Sequence, residues 1–132
     1  MRALVVLALL AGCPDNTSPP ECTDSSCGAD VCARDGECLP ASEVRMVKTT
    51  WTIDGAAASP TTCASTPDLH IYFKSNQDSF GFDPVPCDQG QFFVDKMPLR
   101  FDFVTLGSDA GLFEQSSNVD PQTGIATFNL HP

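Results

Sequence analysis

The chain has few cationic residues and no long apolar segment. Only seven of its 132 residues are Lys or Arg, against 17 Asp and Glu, and the net charge is −10. Because binding to nucleic acid requires a clustered basic face, we expect no nucleic-acid partner. The longest apolar run, Ala3 to Ala11, is shorter than the roughly 20 residues of a membrane-spanning helix. This run is therefore too short for a permanent membrane span.

Catalytic signatures are also missing. The sequence has no G-x-S-x-G, S-x-x-K or H-E-x-x-H motif and no glycine-rich phosphate loop. It has two histidines, and we expect both to be solvated, since His70 points outward on a predicted strand and His131 is penultimate. The sequence therefore predicts a protein that is not an enzyme and that needs no cofactor.

The N-terminus has the layout of an export signal. Arg2 is followed by the apolar run and then by Leu10-Ala11-Gly12-Cys13. A plain secreted protein with a cysteine after the cleavage point is one interpretation. The four residues also resemble the lipobox of bacterial lipoproteins, which implies cleavage before Cys13 and a lipid on its sulfur. Pro14 stands where Asp would retain an enteric lipoprotein at the inner membrane, so the resemblance implies the outer membrane.

Without Cys13 the seven cysteines become an even six, which in an exported chain indicates disulfides. Four of them lie in a segment with few apolar residues, at Cys22, Cys27, Cys32 and Cys38. Adjacent pairing and interleaved pairing (22 with 32, 27 with 38) are both possible. A zinc knuckle is the rival interpretation, but the C-x2-C pair that zinc sites favour is absent. The segment resembles short, loosely EGF-like modules of myxobacterial lipoproteins.

From residue 43 onward the apolar residues alternate with a period of two, which predicts strands. Proline marks one segment as irregular or as an edge strand. The predicted strand segments are Arg45 to Ile53, Leu69 to Lys74, Phe80 to Pro86, Gln91 to Lys96, Leu99 to Leu106, Leu112-Phe113 and Ile125 to Leu130. We therefore predict an all-β fold, a single six- to seven-stranded β-sandwich.

Cys63 and Cys87 precede two of these strands, and pairing them would staple the sandwich. Residues 51–111 resemble a C-terminal module of uncharacterised myxobacterial lipoproteins. The matching pieces are Trp51-Thr52-Ile53-Asp54-Gly55, Thr62-Cys63, Leu69 to Phe73, Pro86-Cys87 with Gly90, and Leu99 to Gly111. The resemblance implies an immunoglobulin-like or transthyretin-like sandwich and no known activity.

Two kinds of candidate site follow from these patterns. Asp78, Asp83 and Asp88 are weak calcium candidates, because they fall in neighbouring loops and oxygen ligands suit Ca²⁺. Phe92 and Phe93 are adjacent in a strand and must point to opposite faces, so one of them is a candidate for a partner surface. Trp51 is expected in the core, with a glycan-stacking platform as the alternative.

The expected organisation is a signal peptide (1–12), a lipidated cysteine with its linker (13–21), a disulfide module (22–40) and a sandwich (43–132). The expected function is that of a lipid-anchored envelope lipoprotein with a non-catalytic role in binding, adhesion or structure. Its partners would be the membrane, through the lipid, and envelope proteins or glycans. The alternatives are an accessory subunit of an envelope or secretion assembly and a hydrolytic enzyme.

Overall fold

The computed structural model describes residues 21–132, and the lipobox lies outside them. The strands of the described region are β1 (Val31–Cys32), β2 (Cys38–Leu39), β3 (Val44–Ile53), β4 (Ala56–Ala57), β5 (Asp68–Lys74), β6 (Ser79–Pro86), β7 (Gln91–Pro98), β8 (Phe103–Ser108), β9 (Glu114–Asn118) and β10 (Ile125–Leu130). Two short 3₁₀ helices cover Ala41–Glu43 and Cys87–Gln89. The all-β class predicted from the sequence is confirmed.

The strands of the sandwich form two four-stranded sheets. In the first sheet β3 lies between β10 on one side and β7 with the short β4 on the other, and β10 runs parallel to β3. The second sheet has the order β6-β5-β8-β9 and is antiparallel throughout. The pair β1 and β2 forms a separate small hairpin sheet in the cysteine-rich segment. The described region is thus a sandwich preceded by a small disulfide module.

The core lies between the two sheets, where alternate residues of each strand are buried. Strand β3 buries Val47, Thr49, Trp51 and Ile53, and β5 buries Leu69, Ile71 and Phe73. At one end, the rings of Phe73, Phe80, Phe82, Phe92 and Phe101 form a continuous cluster with centroid spacings of 4.9 to 6.3 Å. Burial of this aromatic area is a large favourable term for a domain of this size.

The predicted strands differ from the observed ones mainly at two places. Strand β8 begins at Phe103 instead of Leu99, because a turn with a hydrogen bond from Phe101 N to Pro98 O follows β7. Strand β9 was missed, and the sequence instead suggested a strand at Leu112-Phe113. Its sequence, EQSSN, has no apolar residue, since it is an edge strand whose residues are exposed or half-buried.

Three disulfides are present, and the module uses the interleaved pairing. Cys22 bonds to Cys32 and Cys27 bonds to Cys38. The predicted bond between Cys63 and Cys87 is also present, and both cysteines are buried.

The module docks on a bulge in β7. Val47 of β3 pairs with Val94, but the next pair is Arg45 with Met97, so β7 carries an extra residue there and Lys96 adopts a positive φ of 51°. The carbonyl of Lys96 accepts a hydrogen bond from the backbone N–H of Arg34 at 2.9 Å. Ion pairs surround this contact: Arg34 with Asp95, Lys96 with Asp24, and Arg100 with Asp35 and Glu37. A strand irregularity thus provides the acceptor that holds the module.

Candidate functional site

The outer face of the first sheet carries an apolar patch. Lys48 lies in register with Phe93 of β7 on one side and with Ile125 of β10 on the other, and Met46 is two residues before Lys48 on the same strand. Met46 is 59% exposed, Phe93 50% and Ile125 38%. We call Met46, Lys48, Phe93 and Ile125 the outer patch. Three exposed apolar side chains around one cation make it a candidate docking surface.

The charge of the outer patch is opposite to that of the chain. The Nζ atom of Lys48 lies 5.2 Å from the centroid of the Phe93 ring, which is a cation–π distance. Within residues 21–132, Lys48 forms no ion pair with a carboxylate, and the nearby Asp95 is engaged by Arg34. The patch is therefore a cationic, apolar area on an acidic protein.

The structure separates the two adjacent phenylalanines. Phe92 is half-buried and packs against the core, with its ring centroid 4.9 Å from that of Phe82. Only Phe93 is a surface residue, so Phe92 no longer qualifies as a partner contact. Trp51 is buried, as expected for a core residue, and its indole N–H donates to the carbonyl of Cys87 at 2.7 Å.

The outer face of the second sheet holds His70, whose expected solvation is wrong. The side chain is only 13% exposed, and Nε2 lies 3.2 Å from Oε2 of Glu114. The ring crosses the strand above Gly107, where an added Cβ would lie 2.6 Å from Nε2. The absence of a side chain at Gly107 thus lets the ring lie flat and reach β9. At the C-terminus the imidazole of His131 contacts Asp54 at 2.7 Å and is exposed.

The three sequence-predicted calcium candidates lie in different surroundings. Asp78 lies 3.9 Å from Nε of Arg100, and Asp88 contacts the amide of Gln89 at 3.5 Å. Asp83 instead faces Asp109, which follows β8, with Asp68 and His70 nearby. The structure therefore does not bring the three together, and it gives Asp83 partners that the sequence spacing did not suggest.

The carboxyl of Asp109 shifts the pKa of Asp83. A hydrogen bond between the two carboxyls favours the protonated form of Asp83 and raises its pKa above the ordinary value of 3.8, and the charges of Asp109 and Asp68 add to this effect. Because the folded chain holds this proton more tightly than the unfolded chain, the pair's contribution to stability falls as pH rises from 3.8 through the raised pKa.

We expect the substitution Asp109→Asn to lower the pKa of Asp83 toward 3.8, because it removes the carboxyl whose hydrogen bond, and then whose charge, favours the protonated form of Asp83. The measurement is a ¹³C-detected NMR titration of the Asp83 carboxyl. The variant Asp88→Asn serves as the control, because Asp88 is not among the groups that shift the pKa of Asp83. It should leave the titration of Asp83 unchanged. An unaltered Asp83 titration in Asp109→Asn would show that the two carboxyls are not coupled.

Clustered metal ligands are scarce in the described part of the chain. Between residues 21 and 132, one group of three His, Cys, Asp or Glu side chains has its ligand atoms within 4.8 Å of one another, namely Cys22, Cys27 and Cys32. All three sulfurs are in disulfides and offer no thiolate to a metal. The two histidines also have no hydroxyl nucleophile hydrogen-bonded to them in this region. Within residues 21–132, the hydrogen-bond partners of His70 and His131 are Glu114, Asn129 and Asp54, and none of them is a Ser or Thr hydroxyl.

Comparison of the chain with protein-family models, with curated proteins and with solved structures gave no match. Over residues 21–132, none of the helices has the length and apolar character needed to cross a membrane.

Proposed function

We propose that this chain is a lipid-anchored lipoprotein of the bacterial cell envelope, and that its described domain has a non-catalytic binding role. The observation that carries the proposal is Leu10-Ala11-Gly12-Cys13 at the end of a nine-residue apolar run, Ala3 to Ala11. Cys13 would be the lipidated residue. The three disulfides formed by the other six cysteines support the proposal, because such bonds persist in oxidising compartments. The outer membrane is the favoured location, on account of Pro14.

The test of anchoring is the substitution Cys13→Ser in the intact chain. One buried acyl chain binds a membrane only marginally and two or more bind it firmly, so the mature wild-type protein should fractionate with the membrane. Because the lipobox pattern requires its cysteine, Cys13→Ser should carry no lipid and should not be cleaved before residue 13. Mass spectrometry of the wild-type N-terminus should show lipid on Cys13. A matched control is Cys22→Ser, which breaks a module disulfide and should stay in the membrane fraction. A Cys13→Ser protein that is still cleaved before residue 13 and is water-soluble, or a wild-type mature N-terminus without lipid, would refute the proposal.

The binding role is supported by the outer patch. Contiguous exposed apolar side chains on a soluble domain are a common mark of an interaction site. The same observation favours the second candidate, an accessory subunit of an envelope or secretion assembly, since both roles need a docking surface. Envelope proteins fit a cationic, apolar surface better than neutral glycans do, because the ammonium group of Lys48 lies over the Phe93 ring and has no carboxylate partner within residues 21–132. No observation favours a hydrolytic enzyme.

A photo-crosslinking amino acid in place of Phe93 tests this role in intact cells. We expect a discrete crosslinked product at this position. The control position is Leu112, which is 72% exposed and lies outside the outer patch. Crosslinking at residue 112 but not at 93, or equal crosslinking at both, would show that the patch is not the docking surface.

A further inference from the structure

Strand β7 lies at an edge of the first sheet, and one of its two sides has no neighbouring strand. Within residues 21–132, β7 pairs with β3 and with no other strand. The ladder between them begins at Trp51 and Gly90, where the N–H of Trp51 donates to the carbonyl of Gly90 at 3.0 Å. Hydrogen-bonded pairs alternate along an antiparallel ladder, so the backbone groups of Phe92 and Val94 point toward β3.

The backbone groups of Gln91 and Phe93 therefore point away from β3. In the described part of the chain, the N–H and C=O of these two residues have no hydrogen-bond partner, and both residues are exposed. The open stretch ends at Asp95, because Nε of Arg34 lies 3.5 Å from the carbonyl oxygen of Asp95. Gln91 and Phe93 each offer a free donor and a free acceptor, which is the template that an added strand needs.

Two other edges of the sandwich are protected against such pairing. Strand β6 carries two prolines, which have no N–H to donate. On the outer side of β10, the carbonyl of Ile125 accepts the N–H of Asp120 at 2.9 Å, and the carbonyl of Asn129 accepts the side-chain amide of Gln115 at 3.0 Å. Natural sheets protect their edges in these ways because an open edge pairs with other chains. The edge of β7 lacks both devices and is therefore free to pair.

A strand added to β7 would lie against the outer patch. The side chain of Phe93 is on the outer face, and a residue opposite it on an added strand would have its Cα about 5.5 Å away. On the other side of Phe93, the ammonium of Lys48 lies 5.2 Å from the ring centroid. Apolar side chains of the added strand would pack against the ring, and an acidic side chain would meet the ammonium. The patch thus specifies the chemistry of the strand that the edge accepts.

We infer that β7 binds an extended segment of a partner protein as an additional strand, through the backbone of Gln91 and Phe93. The segment carries apolar side chains and an acidic one on the face that it shares with the outer patch. This inference rests on the proposed binding role and adds the conformation and the chemistry of the partner. A second copy of this chain fits less well, because the one carboxylate of β7 itself, Asp95, is engaged by Arg34.

A synthetic peptide, acetyl-Thr-Val-Thr-Glu-Thr-Val-Thr-amide, tests the inference, because its valines and its glutamate share one face when it is extended. We expect NMR shifts in the ¹⁵N-labelled intact chain to centre on residues 91–95. The amides of Gln91 and Phe93 should exchange rapidly with water in the free chain and more slowly in the complex. A control peptide with lysine in place of glutamate should bind about two- to fivefold more weakly, which is the ratio for one surface ion pair.

The variants Phe93→Pro and Phe93→Ala separate strand addition from docking on the face of the sheet. Both remove the ring, but only proline also removes the outward N–H, which β3 does not use. We expect Phe93→Pro to bind the peptide about two- to tenfold more weakly than Phe93→Ala, which is the ratio for one lost hydrogen bond. Circular dichroism and urea denaturation show whether both variants fold. If Phe93→Pro does not fold, the amide exchange of Phe93 in the wild-type complex decides the question.

Equal binding by the two variants, or an unchanged exchange rate of the Phe93 amide in the wild-type complex, would overturn strand addition. The proposed docking at the outer patch would survive that result, since crosslinking at residue 93 requires only contact with the side chain. Failure of the peptide to bind, or shifts that centre on β6 or β9, would also overturn the inference. A wild-type dimer in sedimentation equilibrium that Phe93→Pro dissociates would assign the edge to a second copy and overturn the choice of partner.

Discussion

Removal of the Cys63–Cys87 disulfide by the double substitution Cys63→Ala/Cys87→Ala should lower the free energy of unfolding by about 3–4 kcal/mol. The bond spans a sequence separation of 24 residues, and a closed loop of this length removes much entropy from the unfolded chain. Alanine is preferable to serine because both positions are buried, at 3% and 0% exposure, and a hydroxyl there would need a partner.

The disulfide also supports neighbouring contacts, so the loss extends beyond chain entropy. The carbonyl of Cys87 accepts the indole N–H of Trp51, and the N–H of Cys87 bonds to Pro67. Urea denaturation of the oxidised proteins measures the effect, and the melting temperature should fall by roughly 12–30 °C. The control is Cys27→Ser/Cys38→Ser, which opens the exposed module and should leave the sandwich transition nearly unchanged. A loss below about 1 kcal/mol in the Cys63/Cys87 variant would show that the loop is already constrained in the unfolded state.

Local pattern predicts the fold well where one face of a strand is buried. The alternation in β3 placed Val47, Trp51 and Ile53 on the inner face, and the same alternation placed β10 at its observed bounds. It fails at β9, because an edge strand of polar residues has no apolar period to detect. It also fails at Leu99 to Asp102, where four residues between β7 and β8 make a turn inside an apolar stretch.

Sites are harder to predict because they depend on register between distant strands. The adjacency of Phe92 and Phe93 predicts that they face opposite ways, but not which one faces water. The outer patch exists because Lys48 pairs with both Phe93 and Ile125, and no local signal specifies that pairing. The neighbours of Asp83 are likewise a matter of topology, because the start of β5 and the residue after β8 meet it only once the second sheet has formed. Sequence proximity suggested Asp78 and Asp88 instead.

The bulge in β7 shows a further limit of pattern-based prediction. Lys96 lies in a left-handed conformation that non-glycine residues seldom adopt, whereas the apolar pattern predicts an ordinary strand from Gln91 to Lys96. Its carbonyl is nevertheless the acceptor for Arg34 of the module. The position of the module on the sandwich therefore depends on a backbone feature that binary patterning cannot encode, although the interleaved disulfides inside the module were among the foreseeable pairings.

The same chemical change, Phe→Ala, should have very different effects at Phe73 and at Phe93. Phe73 is fully buried, and its ring lies 5.8 Å from Phe80 and 6.3 Å from Phe82 in the aromatic cluster. Truncation removes the transfer free energy of the ring and leaves a cavity, so Phe73→Ala should cost about 3–5 kcal/mol. Phe93 is 50% exposed and contacts Lys48 on one side, so Phe93→Ala should cost no more than about 1 kcal/mol.

Urea denaturation of both variants decides the comparison, with near-ultraviolet circular dichroism at low urea to check that each remains folded. Equal losses in the free energy of unfolding would mean that Phe93 stabilises the fold and that the outer patch is not free to act as a docking surface. A near-neutral Phe93→Ala has a further use, because it keeps the sandwich intact while removing the largest apolar side chain of the patch. Loss of a partner in that variant is then attributable to the surface itself, whereas the same loss in Phe73→Ala would follow from unfolding.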